Sequence, residues 1–356
     1  MQPQIQEKKA NKDTQQQEES EQIDIQQNCN KYPNINYTEQ INYLKNSLEQ
    51  NLSQKPKGEK ALTQYRKPKV QINLPQQLTN FQKIKFDTNQ YDFQKVVMEI
   101  LDVKNLEELE KFNPPKQNVF TYNYSKILRE KVGKNKNLEL LFKNFLKNVI
   151  APHIITEILK YSSNQEKNTE QITQQCNNVD NIQKNLNDSN YINDNKSEND
   201  IQNNNEDNNF EQDFKNKLKL KQKQKYKLVY QYPPTMRVHP SVQPPKPLGK
   251  VHRDAEFGHQ PGELNFWMPL LSIKGGSCLW CEQQEYQQNF QPFVLNYGEL
   301  MRFWGAQLYH GAGINDTGYT RISFDFRVAS LLCFDTEWKL PTVDYQHNWQ
   351  VMEIEL

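Results

Sequence analysis

No stretch of the chain approaches the roughly 18–20 consecutive apolar residues that a membrane-spanning helix requires, so no membrane partner is expected. An excess of one charge is lacking as well. Lys and Arg number 44 against 43 Asp and Glu, a net charge of +1, and this balance requires neither a nucleic acid nor an anionic membrane surface. Cysteine is scarce and scattered: Cys29, Cys176, Cys278, Cys281 and Cys333 are odd in number, in a chain that opens MQPQIQEKKA without an apolar leader. That usage argues against a disulfide framework and for a reducing, cytoplasmic setting. The last residues, VMEIEL, carry no recognised address or lipidation motif. Apolar residues are also few, at 35% of 356 residues. One continuous globule of that length would need more, so part of the chain is expected to stay unfolded.

The polar residues are concentrated in two tracts. Residues 1–80 are rich in Gln, Asn, Lys and Glu, with short apolar groups such as Ile41, Tyr43 and Leu44 but no sustained period, and read as a disordered N-terminal region. Residues 164–225 are a more extreme Asn/Gln-rich low-complexity insertion or linker, ending in lysines at every second position. Between the tracts, residues 81–163 carry a helical period. In DFQKVVMEILDV, Phe93, Val96, Val97 and Ile100 fall on one helix face, and LELLFKNFLKNVIAPHIITEILKY repeats the pattern after Pro114 and Pro115. From residue 226 the period changes to two. YKLVYQY, TMRVHPS, GELNFWMPLLSI, GSCLWCE, PFVLNYGELMRFWG and TRISFDFRV read as short strands punctuated by Gly and Pro, over a core of 226–335 that is followed by a tail, 336–356. The fold class expected is α+β, with helices packed on an antiparallel sandwich or barrel.

Only six histidines occur, and two of them lie in KVHRDAEFGHQPGELNFWMPL with an aspartate between. In an extended segment residues i and i+2 point to the same side, so His252 and Asp254 present an imidazole and a carboxylate to one point while Arg253 faces away. His310, in WGAQLYHGAGINDTGYTRISFDF, is the best candidate for a third ligand. Two His and one Asp form the facial triad that leaves three cis positions open on non-haem iron(II). The same set could hold zinc for hydrolysis, since H-x-D alone is a weak motif. Arg321 lies on the strand that follows, with Ser323 on the same side, and a guanidinium beside a hydroxyl is a good clamp for a carboxylate. Along that strand Ile322, Phe324, Phe326 and Val328 make one face, and Arg321, Ser323, Asp325 and Arg327 make a wholly polar one, as for a lumen that binds something charged.

In order and spacing, RVHPS, HRDAEFGHQPGELNFWMPL, GSCLW, YGELMRFWG and HGAGINDTGYTRISFDFRV resemble the iron(II)- and 2-oxoglutarate-dependent oxygenases of the phytanoyl-CoA hydroxylase type, nearest to the StrG-like hydroxylases of streptomycin biosynthesis. The likeness covers about residues 230–330. It implies a double-stranded β-helix, or jelly-roll, core and a hydroxylase that uses Fe(II), 2-oxoglutarate and O2. It also implies that His252, Asp254 and His310 are the iron ligands and that Arg321 with Ser323 holds the distal carboxylate of the keto acid. Two other classes stay open at this point, a non-catalytic jelly-roll interaction module and a metal-dependent hydrolase or isomerase on a similar barrel.

The remaining candidates are weaker. Asn265 and Trp267 alternate with Leu264, Phe266 and Met268, which would turn them towards the lumen and the cosubstrate. His259, in GHQPG, reads as a loop residue over the mouth, His239 and His153 as structural, and His347 as incidental. Cys278 and Cys281 form C-x-x-C, but a strand context and the lack of a second pair oppose a zinc site. A small-molecule substrate is expected, and neither its identity nor the oligomeric state is encoded in a legible way.

Overall fold

The computed structural model describes residues 35–53, 74–113, 120–161, 225–273, 275–338 and 348–355. The Asn/Gln-rich insertion, most of residues 1–80 and His347 lie outside the described residues. Strands β1 (Gln82–Lys85), β2 (Tyr226–Gln231), β3 (Thr235–His239), β4 (Leu264–Pro269) and β5 (Leu279–Glu282) are followed by β6 (Phe290–Pro292), β7 (Glu299–Phe303), β8 (His310–Ala312), β9 (Arg321–Ser330) and β10 (Trp349–Ile354). Seven of them form one antiparallel sheet in the order β1-β7-β4-β9-β2-β10, with β3 also on β9, and the other three form a second sheet, β6-β5-β8. β9 organises the large sheet. It pairs with β4 along one side, while β3 takes the beginning of its other side and β2 the end.

Two-residue alternation along β9 separates two environments. Ile322, Phe324, Phe326 and Val328 are fully buried in the larger apolar cluster, against helices Phe93–Leu101 and Lys136–Phe145. Phe324 meets Phe93 edge-on at 6.1 Å, and Phe326 meets Phe142 at 5.0 Å. The helix 136–145 continues through a π-turn, Leu146–Ile150, into residues 151–161; Ile150 of the turn and Ile154 and Ile155 beyond it join the same core. The opposite face of the large sheet meets the small one. Trp267 and Phe303 of the large sheet share a second cluster with Trp280, Cys281 and Phe290 of the small. The layers are therefore helices, large sheet, small sheet, and the polar face of β9 looks into the space between the sheets.

Three segments depart from the sequence expectation. Residues 37–53, read as part of a disordered region, form a helix, Tyr37–Ser53, whose Tyr37, Ile41, Leu44 and Leu48 are buried in the second cluster. These four residues recur at helical spacing, but the Gln, Asn and Glu between them lower the mean hydropathy. Polar groups complete the docking: Gln40 accepts from the Ile314 amide at 2.7 Å and donates to its carbonyl at 3.0 Å. Residues 82–85, within the helical segment, form edge strand β1 on β7. Residues 349–354 of the expected tail pair along the whole of β2. In all three cases the stabilising partner is distant in sequence, so local period carries little of the signal. Among the described residues, no helix is long and apolar enough to cross a membrane.

Leu44 is 0% exposed. Leu44→Ala is expected to lower unfolding stability by about 2–5 kcal/mol, the usual range for a buried leucine truncation. Urea denaturation checks this, and an unchanged midpoint would mean that the N-terminal helix is not part of the core.

Candidate metal centre

His252 and His310 are brought together by backbone, not by neighbouring sequence. The two residues form an antiparallel bridge, with the His252 amide donating to the His310 carbonyl at 3.0 Å and the reverse bond at 2.9 Å. Gly311 makes the approach possible, because a Cβ there would lie 2.9 Å from Val251 Cγ2 and 3.2 Å from Val251 Cα. After His252 the chain leaves the extended state and Asp254 opens a 3-10 turn, Asp254–Phe257. The Asp254 amide donates to Gly305 O at 2.8 Å. Arg253 does face away, as the alternation predicts: its guanidinium lies between the rings of Tyr286 and Tyr309, 5.1 and 4.9 Å from their centroids.

One carboxylate oxygen and two imidazole nitrogens converge. Asp254 Oδ1 lies 3.5 Å from His252 Nε2 and 3.4 Å from His310 Nε2. The three ligand atoms all fall within 4.8 Å of one another, and this is the His/Cys/Asp/Glu group found among the described residues that could hold a metal ion. Both rings have the tautomer that a cation needs. His252 Nδ1 donates to Lys250 O at 2.7 Å and His310 Nδ1 to Leu308 O at 2.9 Å, so each Nε2 carries its lone pair inward. Ligand bonds of roughly 2.0–2.2 Å set cis donors about 3 Å apart, so the two carboxylate–imidazole distances need contract only slightly to reach a bound state. The donor set fits a divalent first-row metal.

Asp254 divides its two oxygens between metal side and protein side. Oδ2 accepts from Arg327 Nε at 2.9 Å, Arg327 Nη2 at 2.8 Å and Asn265 Nδ2 at 2.5 Å. Burial raises the Asp254 pKa, but the Arg327 charge, with His259 and His310 adding to it, outweighs burial and holds the carboxyl well below its usual range. Burial lowers that of His310, and the nearby Asp254 carboxylate, with the Leu308 carbonyl on Nδ1, more than offsets this, so it is raised. Arg327, on the polar face of β9, is the partner of Asp254 that the sequence reading did not single out. Arg327→Gln is expected to weaken metal binding about 10- to 100-fold, as loss of an outer-shell partner commonly does. Competition against a fluorescent chelator for Mn(II) measures this, and native affinity in the variant would remove Arg327 from the site.

The second charged group stands across a shared cavity. A cavity of about 360 Å³ is lined by His252, Asp254 and His310 and also by Arg321, Trp267 and Arg327. Arg321 is 4% exposed. Its Nη1 donates to Ser323 Oγ at 2.8 Å, its Nη2 meets His239 Nδ1 at 3.3 Å, and its Nε has no hydrogen-bond partner. The His239 ring is oriented from behind, since its Nε2 donates to Lys246 O at 2.7 Å and leaves Nδ1 as an acceptor. Burial first, and then the Arg321 charge, push the His239 pKa down to about 3, so this acceptor stays neutral. Burial, with Arg237 adding, pulls Arg321 itself down to about 10, which leaves it charged at neutral pH. The Arg321 Cζ stands 5.7 Å from the centre of the Trp267 ring.

The other candidates separate. Trp267 lines the cavity, whereas Asn265 sits behind Asp254, its amide packed so closely on Gly305 that a Cβ there would meet it at 2.6 Å. His259 is buried, lines the cavity and bonds through Nδ1 to Glu263. Cys278 and Cys281 are buried free thiols, and burial pushes Cys278 up to about 12. Trp304 bonds to Pro261 O at 2.8 Å and Tyr309 packs on Arg253. His153 lies in the segment 151–161, where burial lowers its pKa.

No protein-family model matches the chain. Over 94 residues the chain is 40% identical to the streptomycin biosynthesis protein StrG of Streptomyces griseus, a stretch of 26% of this chain and 43% of StrG. The chain thus spans less than half the length of that curated relative. Among solved structures, it is similar to the non-heme monooxygenase ThoJ in its apo form and in its nickel complex, at 15% and 16% identity with a TM-score of 0.25 for each. The similarity covers 30% of this chain and 47% and 45% of those chains. Over the 94-residue stretch the chain is a homologue of StrG.

Proposed function

We propose that the chain is an iron(II)- and 2-oxoglutarate-dependent dioxygenase with a jelly-roll core of the phytanoyl-CoA hydroxylase type, and that it hydroxylates a small polar substrate. The observation that carries this reading is Arg321. A buried guanidinium with no carboxylate within salt-bridge distance among the described residues, and with an unpartnered Nε, faces the same cavity as the His252, Asp254 and His310 cluster. An uncompensated buried cation is costly. A ligand carboxylate removes that cost, and a dicarboxylate can meet the arginine and the metal together. Metal-assisted hydrolysis does not in itself require such a clamp, whereas a keto-acid cosubstrate does. StrG is, by its name, a streptomycin biosynthesis protein, which supports a small polar metabolite as the substrate class.

Fe(II) with 2-oxoglutarate and O2 supplies the oxidising equivalent for hydroxylation when bound. The chain's own residues supply the rest. His252, Asp254 and His310 would hold the metal, and all three line the cavity that a ligand would enter. Arg327 and Asn265 fix Asp254 so that Oδ1 alone faces the two imidazoles. Ser323 and His239 hold the Arg321 fork against rotation, and the Trp267 ring closes one side of it. Buried Phe303 and partly buried Leu279 help to line the cavity and limit water around the centre.

The test is anaerobic addition of Fe(II) and then 2-oxoglutarate to metal-free protein, watching for the weak visible charge-transfer band of the chelate. Its appearance at stoichiometric metal supports the reading. Iron binding without a band would refute it.

A further inference from the structure

We propose that the cavity contains an oxyanion subsite for the substrate, in which Arg237 holds a carboxylate or phosphate group beside the metal centre. This deepens the proposed function and rests on it in one respect, that Arg321 is occupied by the keto acid. Arg237 stands opposite Ser323 in the β3–β9 register, and side chains directly opposite in an antiparallel pair share a face. It therefore emerges on the same face as Arg321 and Asp325, and it lines the cavity.

Charge in the cavity is unbalanced. Arg237, Lys250, Arg321 and Arg327 line it, against the carboxylates of Asp254 and Asp325. Arg327 already engages both of these, at 2.8 Å from Asp254 and 3.3 Å from Asp325. Arg237 reaches Asp325 only at 3.9 Å, well beyond the roughly 2.7–2.9 Å of a charge-assisted hydrogen bond. Its side chain is 36% exposed, so an incoming group can reach it. A divalent cation at the triad adds two positive charges and a 2-oxoglutarate dianion removes two, so the surplus remains for the substrate. Low-dielectric walls strengthen that surplus.

Neighbouring groups suit an oxyanion on a compact body. The Phe120 ring stands edge-on to His239 at 6.2 Å, which sets the start of helix Tyr122–Lys134 beside β3. From that start Thr121 and Ser125 also line the cavity, while Leu248 and Phe257 add apolar wall. Phe257 lies 4.8 Å from the His252 ring, so the apolar part of a ligand held at Arg237 can extend over the metal ligands. The substrate class that matches is a small metabolite with one anionic group and a partly apolar body.

The test uses the full chain loaded with Mn(II) and saturated with 2-oxoglutarate. Inorganic phosphate is titrated by paramagnetic relaxation in phosphorus NMR and acetate by proton NMR, and the visible band of the Fe(II) form is recorded in parallel. The expected result is metal-relaxed binding of at least one of the two anions, weakened about tenfold or more by Arg237→Gln and less by Arg237→Lys. Comparing the two anions separates a phosphate from a carboxylate preference. A normal band with anion binding that is absent, or indifferent to Arg237→Gln, overturns the subsite and leaves the oxygenase reading intact. Binding lost only in Arg321→Gln, or displaced by 2-oxoglutarate, means a single anion site and also overturns it. Arg237-dependent binding without any band would retain the subsite and refute the keto acid at Arg321.

Discussion

Replacing His310 by Ala is expected to abolish stoichiometric retention of Fe(II), weakening metal binding by more than about 100-fold, the upper end of what loss of an outer-shell partner costs. The reason is geometric. His310 supplies one of only two neutral donors in the triad, its lone pair is aimed inward by the bond from Nδ1 to Leu308 O, and it is buried, so no other described side chain can take its place without moving backbone. The chelate band and succinate release should disappear together. Because the antiparallel bridge to His252 uses main-chain atoms, Ala retains it, and circular dichroism should show a folded protein. A His310→Ala protein that binds Fe(II) as the native chain does would remove His310 from the donor set.

Arg321→Ala is expected to raise the half-saturating 2-oxoglutarate concentration by about 10²- to 10³-fold, the consequence of removing one member of a buried charge pair. Metal affinity should stay native, since Arg321 makes no hydrogen bond to a triad residue. Stability gives an independent reading. Native protein carries Arg321 buried without a carboxylate partner among the described residues, so 2-oxoglutarate should raise its melting temperature through binding linkage. The variant should lose that increase without being less stable in the absence of ligand, because an uncompensated buried charge has been removed. If the keto acid stabilises Arg321→Ala as much as the native chain, the clamp lies elsewhere. Together the two variants separate metal binding from cosubstrate binding, whereas a general loss of fold would affect both measurements alike.

Much of the site was legible because it follows from strand alternation. The polar face of β9 needs only the two-residue period to put Arg321, Ser323, Asp325 and Arg327 on one side, and the structure puts Ile322, Phe324, Phe326 and Val328 in the helical core opposite. His239 was read as structural, and it is buried, but what it does is orient Arg321. That role was hidden because it depends on the β3–β9 register, which sets His239 opposite Arg321. Asn265 illustrates the reverse case. Alternation correctly turned it inward, yet it bonds to Asp254 instead of lining the cavity, since Gly305 lets its amide lie against the neighbouring loop.

The sequence by itself determined the composition of the centre and the local directions of its side chains. H-x-D spacing, the late histidine and the alternating polar strand are properties of chemistry and of two-residue geometry, which a chain carries before it folds. The tertiary structure decided which of these groups meet and what holds them. The bridge between His252 and His310, the bonds from Arg327 to Asp254, the helix Tyr37–Ser53 on the small sheet and the closing strand β10 all join segments far apart in the chain. Such contacts depend on register and on close approach at particular glycines, and no local period encodes either one.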